Sequence, residues 1–339
     1  MSMDIKSRFS NALDKEVKFS KIFVAGHKGM VGSAIIEKLK LLGFENIIIA
    51  EKSKLNLLNQ SDVLDFFSDN KIDQVYIAAA KVGGILANSK YPADFIYENL
   101  MIQTNLIHAA YINGINRLLF LGSSCIYPRN THQPMNESQL LTGQLETTNQ
   151  AYAISKIAGI ELCRSYNEQY LKDFRCVMPT NLYGKNDNFH PENSHVIPGL
   201  ISKFHKAKRD NLNSIEIWGT GKSLREFLHV EDLAEACILI MNLSREVFHN
   251  SLSSQFPFIN IGSGNEICIE DLVKMISRIS KFSGDIIFDD SKPDGVQRKL
   301  LDISSISELG WKPKITLEEG IKDTYQWYSD NQIYLTYEK

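Results

Sequence analysis

Short apolar runs alternate with longer amphipathic stretches along the first half of this chain, and the spacing predicts strands and helices in turn. Residues 21–25 read as a buried strand that runs directly into Gly26-His27-Lys28-Gly29-Met30-Val31-Gly32 and then into an amphipathic stretch through Leu42. Further strands are predicted over residues 46–50, 73–80, 118–121 and 175–179, and a long helix over 95–112. Such alternation predicts an α/β fold, a Rossmann-type doubly wound parallel sheet, joined by a smaller carboxyl-terminal α/β part. From Tyr183 the pattern changes: Gly184, Asn186, Asp187, Asn188, Pro191 and Asn193 crowd a turn-rich loop before a helix beginning near Val196. The expected organisation is an extension over 1–20, a dinucleotide-binding domain over 21–182 to which part of the later chain returns, and a mainly substrate-binding domain over 183–331.

Strand, glycine turn and helix in this order are what a bound pyrophosphate requires. The first glycine permits a tight turn, the second lets backbone approach the phosphates, the third lets the helix pack closely, and the helix amino terminus attracts the charge. The choice of nicotinamide cofactor is less direct. Glu51, at the end of the second strand, suits the ribose hydroxyls of NAD, whereas Lys28 and Lys52 suit the extra phosphate of NADP; NADP(H) is the expectation.

A second group of residues carries chemistry. Leu119-Phe120-Leu121-Gly122-Ser123-Ser124-Cys125 ends a buried strand where site residues of parallel sheets commonly sit, and Tyr152 and Lys156 lie one turn apart on one helical face. Free tyrosine, with a pKa of about 10, is a poor proton relay unless a neighbouring cation eases loss of its proton, a part Lys156 could play. In a ketone reduction Tyr152 gives its proton to the oxygen while Ser123 or Ser124 holds that oxygen by a hydrogen bond. Tyr-x-x-x-Lys alone equally suits an exposed helix face; the glycine turn upstream turns the reading toward a reductase. A reductase alone has no need of Cys125.

With 339 residues, 43% of them apolar, the chain can bury a large core. A net charge of −3 argues against a general nucleic-acid binder, and the five cysteines have no Cys-x-x-Cys spacing, so no metal site is expected. Residues 1–20 are polar and mixed in charge, without a signal-peptide core, and no run approaches the roughly 18 apolar residues of a membrane span. A soluble, cytoplasmic protein is the expectation, with no membrane partner.

Seven blocks in order make the pattern more specific: residues 25–32, 78–84, 122–128, 179–184, 190–198, 225–229 and 292–295. Over residues 21–331 the chain resembles the extended short-chain dehydrogenase/reductases, and within them the bifunctional epimerase/reductases of GDP-sugars. The resemblance implies epimerisation of GDP-4-keto-6-deoxy-D-mannose at carbons 3 and 5, then reduction of the 4-keto group by NADPH to GDP-L-fucose. It implies that Cys125 and His195 are the base and acid on opposite faces of the sugar. A free thiol is only a few per cent ionised at neutral pH, so Cys125 then needs a positive charge nearby, whereas imidazole titrates near neutrality unaided. Each also has a plain structural reading: Cys125 as a small buried residue, His195 as a loop or helix-end residue satisfied by backbone.

The resemblance further implies cofactor contacts from the glycine turn, Lys52, Leu121, Gly122, Ser124, Lys156, Pro179, Asn181, Leu182 and His195. It implies substrate contacts from Asn181, Val196, Leu200, Lys203, Trp218, Arg225, Asp294 and Lys299, although Trp218 equally suits a core position and Arg225 a structural ion pair. Lysines 28, 52 and 203 stand where the family pattern suggests arginine, which keeps charge and loses bidentate geometry. A homodimer through helices around 95–112 and 152–170 is also implied. Two rival readings remain: a nucleotide-sugar 4,6-dehydratase or 4-epimerase that recycles its hydride, and a non-enzymatic dinucleotide-sensing protein.

Overall fold

The computed structural model describes residues 19–331, except 192, 293 and 294. The candidate ligand Asp294 and nearly all of the 1–20 extension therefore lie outside the described residues. The first half of the described chain runs β1 (Ile22–Ala25), α1 (Met30–Leu41), β2 (Ile47–Ile48), α2 (Gln60–Asn70), β3 (Gln74–Ile77), α3 (Ile85–Lys90), α4 (Pro92–Ile112), β4 (Arg117–Leu121), α5 (Gln150–Tyr170) and β5 (Asp173–Pro179). There follow β6 (Asn181–Tyr183), α6 (Val196–Arg209), β7 (Ser214–Trp218), β8 (Leu224–His229), α7 (Val230–Asn242), α8 (Arg245–Asn250) and β9 (Phe258–Ile261). Last come β10 (Glu266–Cys268), α9 (Ile269–Ser280), β11 (Asp285–Asp289), β12 (Arg298–Lys299), α10 (Ser304–Glu308) and α11 (Leu317–Asn331).

A six-stranded parallel sheet in the order β2-β1-β3-β4-β5-β9 forms the centre. Its inner strands are buried along almost their whole length and mostly apolar because both faces are covered, the pattern of a doubly wound sheet; the buried charges of β5, Asp173 and Arg175, pair with each other. Alternate residues serve opposite faces: Phe23, Leu118 and Phe120 pack into one core with Leu106 of α4 and Ile160 of α5, while Ile22, Val24, Leu119 and Leu121 pack into another with Ile35 of α1 and Leu233 of α7. The chain leaves β1 for β2 on one side and returns to β3 on the other, so the loops after β1 and β3 diverge at a topological switch point, where ligands of such sheets bind.

Outside this sheet, β8 pairs antiparallel with β10 and parallel with β12 and β6, and β11 pairs with β7. A third apolar cluster joins Phe189, Ile201, Phe204, Phe227, Leu272, Ile276 and Ile321. Two local differences from the sequence reading have simple causes. As an edge strand with one neighbour, β2 keeps only Ile47–Ile48 of the expected 46–50. The long helix starts three residues early because Pro92 supplies a pre-set first-turn φ and lacks the N–H a helix start cannot use. No helix among the described residues is long and apolar enough to cross a membrane.

Candidate active site

The glycine turn is built by backbone contact. Gly26 has φ +88°, and a Cβ there would come 2.7 Å from the amide nitrogen of Ala79 in the loop after β3. A Cβ on Gly32 would come 2.1 Å from the carbonyl oxygen of Gly26, so the first turn of α1 can rest on the turn below it only as glycine. The Gly29 N–H donates to the Gly26 carbonyl at 3.0 Å, and Gly29 caps α1 without a side chain. The first N–H groups of α1, including those of Met30 and Val31, thus face a concave backbone surface suited to phosphate. At its rim, Glu51 accepts from Lys28 Nζ at 2.6 Å and lies 3.3 Å from His27 Nε2. The Lys28 hydrogen bond is the main reason that the Glu51 carboxyl is held below its ordinary value. Lys52 follows it, exposed.

The reducing group assembles where β4 ends. Leu121, Gly122, Ser123 and Ser124 lead into a single 3-10 turn (Ser124–Ile126), and Ser123 Oγ accepts from the Cys125 N–H at 3.3 Å. The Tyr152 phenol on α5 shares a hydrogen bond with Ser123, and its ring meets Phe95 of α4 edge-on at 6.3 Å. One turn along, Lys156 is buried, with Nζ donating to the Leu121 carbonyl at 2.8 Å and lying over the Tyr152 ring, 5.7 Å from its centroid. Burial lowers Lys156 from its ordinary value to about 8. Burial raises the Tyr152 phenol, the Cys125 thiol adds to that shift, and the Ser123 hydrogen bond opposes it. The ammonium engages a carbonyl and the face of the ring, and burial favours the protonated phenol. A protonated phenol is what a proton donor needs.

Beside this pair lies a thiol corner. Cys125 Sγ accepts from Asn149 Nδ2 at 3.2 Å and from Lys299 Nζ at 3.6 Å. The positive charge that a basic sulfur needs is therefore present, on a residue 174 positions away that the sequence reading had given to the nucleotide. Asn149 was not singled out, although it lies three residues before Tyr152 at the start of α5, a spacing that could have drawn notice. His195 is the amino-terminal cap residue of α6. Its side chain is exposed at the surface, yet the protein atoms packed around it, then the Lys299 charge, lower its imidazole from the ordinary value. The preceding loop is pinned at Gly84, whose N–H donates to the Asn193 carbonyl at 3.2 Å and whose Cα faces Ser194 so closely that a Cβ would come 2.7 Å from the Ser194 carbonyl oxygen.

The remaining candidates occupy a continuation of the same side. Asn181, between Pro179 and Leu182 at the β5–β6 junction, donates to the Glu226 carbonyl at 2.8 Å. Along α6, Val196 is exposed, Leu200 is buried in the third apolar cluster, and Lys203 donates to the Glu216 carbonyl of β7, about 12 Å from His195 by helical rise. Trp218, at the end of β7, is 54% exposed, which excludes the core reading, and Lys292 Nζ lies 5.9 Å from its ring centroid. Arg225 of β8 and Lys299 of β12 are register partners and so project from one face of their sheet. A cleft of about 720 Å³ lies elsewhere, lined by Phe19, Lys71, Asp73, Asn116 and Arg117 and by none of the site residues. Among the described residues no group of three or more His, Cys, Asp or Glu side chains is placed to hold a metal ion.

Comparison with known proteins bears on this geometry. Residues 22–262 match the NAD dependent epimerase/dehydratase family. The GDP-L-fucose synthase of Escherichia coli (strain K12) is 54% identical over 312 residues, 92% of this chain and 97% of that protein. Among solved structures, the GDP-mannoheptose C4 reductase of Campylobacter jejuni with NADP bound superposes with a TM-score of 0.83 at 40% identity, covering 92% of this chain and 99% of that one. A GDP-L-fucose synthetase of Naegleria fowleri bound to NADP superposes with a TM-score of 0.82 at 26% identity, covering 92% of this chain and 94% of that one.

Proposed function

The chain belongs to the NAD dependent epimerase/dehydratase family, and from that premise we propose that it converts GDP-4-keto-6-deoxy-D-mannose to GDP-L-fucose by 3,5-epimerisation and NADPH-dependent reduction. The observation that carries this reading is the meeting of two groups at one place: the Ser123–Tyr152 pair, suited to a carbonyl oxygen, and the Cys125–Lys299 contact, suited to a proton on carbon. The relatives that resemble the chain over nearly its whole length support the same substrate class and cofactor.

The backbone fits NADPH. The surface formed by Gly26, Gly29 and Gly32 can be reached by a pyrophosphate only because no side chain fills it, and the Lys28–Glu51 pair offsets the carboxylate that otherwise repels a ribose phosphate. NADPH bound there supplies the hydride of the reduction. In epimerisation Cys125 removes a proton from a carbon next to the ketone, the electron pair moves to the carbonyl oxygen, and Ser123 and Tyr152 stabilise the charge that develops there. His195 returns a proton on the opposite face; the lowered imidazole value makes its protonated form the stronger acid. Once both centres are inverted, Tyr152 gives its proton to the same oxygen, and the buried Lys156 ammonium, held by the Leu121 carbonyl, supports the charge left on the phenol.

The cations Lys203, Arg225 and Lys299 and the exposed indole of Trp218 suit a nucleoside diphosphate, the first three for charge and the last for stacking on a planar ring. We assign the fold's division accordingly: residues 21–182, with β9 and α7, hold the cofactor, and most of 183–331 holds the GDP-sugar. A homodimer through α4 and α5, whose surface carries exposed Tyr97, Ile112 and Tyr170, and a cytoplasmic location complete the proposal. Incubation with GDP-4-keto-6-deoxymannose and NADPH, followed by absorbance and NMR, tests it. GDP-L-fucose with stoichiometric NADPH oxidation is expected; no net oxidation overturns the reading in favour of a hydride-recycling dehydratase or 4-epimerase. At least tenfold better catalytic efficiency with NADH than with NADPH overturns the cofactor choice.

A further inference from the structure

We infer that Lys299 is a positioning residue for proton transfer, holding the Cys125 sulfur and the His195 ring in one electrostatic unit, and that its part is not confined to gripping the nucleotide. This inference rests on the reading of Cys125 and His195 as the acid/base pair.

Three observations bear on it. The ammonium lies 3.6 Å from Cys125 Sγ, within reach of a charge-assisted contact to sulfur. The same charge contributes to lowering the His195 imidazole, so one cation acts on both members of a pair carried by different segments. Its backbone is fixed at the two residues that follow: the Leu300 N–H donates to Gln133 Oε1 at 2.8 Å, and the Leu301 N–H donates to Glu226 Oε2 at 3.0 Å. Glu226 is fully buried, so this anchor is not loosened by solvent. A lysine serving only a diphosphate could sit on a mobile surface loop; this one ends a short strand whose next two residues are each held by a side-chain acceptor.

Cys268 supplies the contrast within the same molecule. It is also a free, half-exposed thiol, but its sulfur meets the Asp271 carboxylate at 3.1 Å, and burial with that hydrogen bond pushes the thiol up. One cysteine therefore faces a cation and the other an anion. Their relative reactivity reads the effect of Lys299 with an internal reference.

The test compares the full-length enzyme with Lys299→Met and Lys299→Arg. Two readouts are followed: iodoacetamide alkylation of Cys125 relative to Cys268, resolved by mass spectrometry without substrate, and solvent deuterium incorporation at carbons 3 and 5 of the keto-sugar. Lys299→Met is expected to slow Cys125 alkylation at least fivefold at pH 7 and to lower kcat for deuterium incorporation about tenfold to a hundredfold. Lys299→Arg, which keeps the charge, should restore most of both. If Lys299→Met leaves the alkylation ratio at the wild-type value and only raises KM, Lys299 is a nucleotide ligand alone and the inference is overturned. Cys125→Ser separates the two levels: full deuterium incorporation in that variant defeats the acid/base reading itself, whereas its loss alongside an unaltered Lys299→Met defeats only the role of Lys299.

Discussion

The glycine cradle after β1 and the thiol corner beside β4 are both made for ligands, yet they are assembled in opposite ways. The cradle comes from seven consecutive residues, and its shape follows from local rules: a strand, a turn with φ +88° at Gly26, and a helix whose first turn rests on that turn. The corner takes Cys125 from the end of β4, Asn149 from the start of α5, His195 from the cap of α6 and Lys299 from β12. Local backbone geometry determines most of the first, with the loop after β3 closing against Gly26; the packing of separate segments determines the second. Damage to the cradle should therefore act on binding of the cofactor to a folded protein, and damage to the corner on one chemical step.

Substitutions at the two regions can break or sharpen that contrast. Between them stands Tyr152, to which the proposed function gives a part in both reactions: Tyr152→Phe should lower the rate of NADPH oxidation with the keto-sugar by roughly 10² to 10⁴, the ordinary worth of a positioned proton donor. Deuterium incorporation at carbons 3 and 5 should fall less, since Ser123 still holds the oxygen, and an equal loss in both would merge the two functions. Lys156→Met tests how burial is tolerated beneath the site. The native lysine is lowered to about 8, so the unfolded chain holds the proton more tightly, and a destabilising cost is fully present below pH 8 and relieved as pH rises toward the ordinary lysine value. The variant should be more stable than the wild type at pH 7 by on the order of 3 kcal/mol, with the gap closing above pH 8 in denaturant titrations.

At the cradle, Gly32→Ala forces a Cβ to within 2.1 Å of the Gly26 carbonyl unless the backbone moves. NADPH affinity, followed by fluorescence titration, should fall roughly tenfold to a hundredfold, and the melting temperature should fall by about a few degrees because the atom met is backbone. A protein that binds NADPH normally after this change would mean that the turn is not the phosphate site. Asn149→Ala removes a donor to sulfur and should slow deuterium incorporation about tenfold, leaving cofactor affinity untouched.

The same contrast accounts for what the sequence could disclose. Strands such as β1 and β4 were legible because both faces are buried and the apolar run is unbroken. Tyr152 and Lys156 were legible as a pair because helical spacing brings them together within one segment. β10 and β12 carry three and two residues, several of them polar, and give no periodic signal; only pairing with β8 makes them strands. The proximity of Lys299 to Cys125 was illegible for that reason, since it depends on β12 docking beside β8. Even the direction of the Tyr152 shift is set first by burial, a tertiary property that helical spacing does not disclose. Resemblance to a family named Cys125 and His195 as a pair, but the contact of Lys299 with the Cys125 sulfur emerged only from the packed chain.

The central claim is that Cys125 is the base of an epimerisation carried out where Tyr152 and Ser123 hold the ketone. Its most direct test is NMR measurement of solvent deuterium entering carbons 3 and 5 of GDP-4-keto-6-deoxymannose with Cys125→Ser. The account predicts loss of incorporation by at least about a hundredfold, with NADPH still bound at wild-type affinity. Incorporation at the wild-type rate would contradict it.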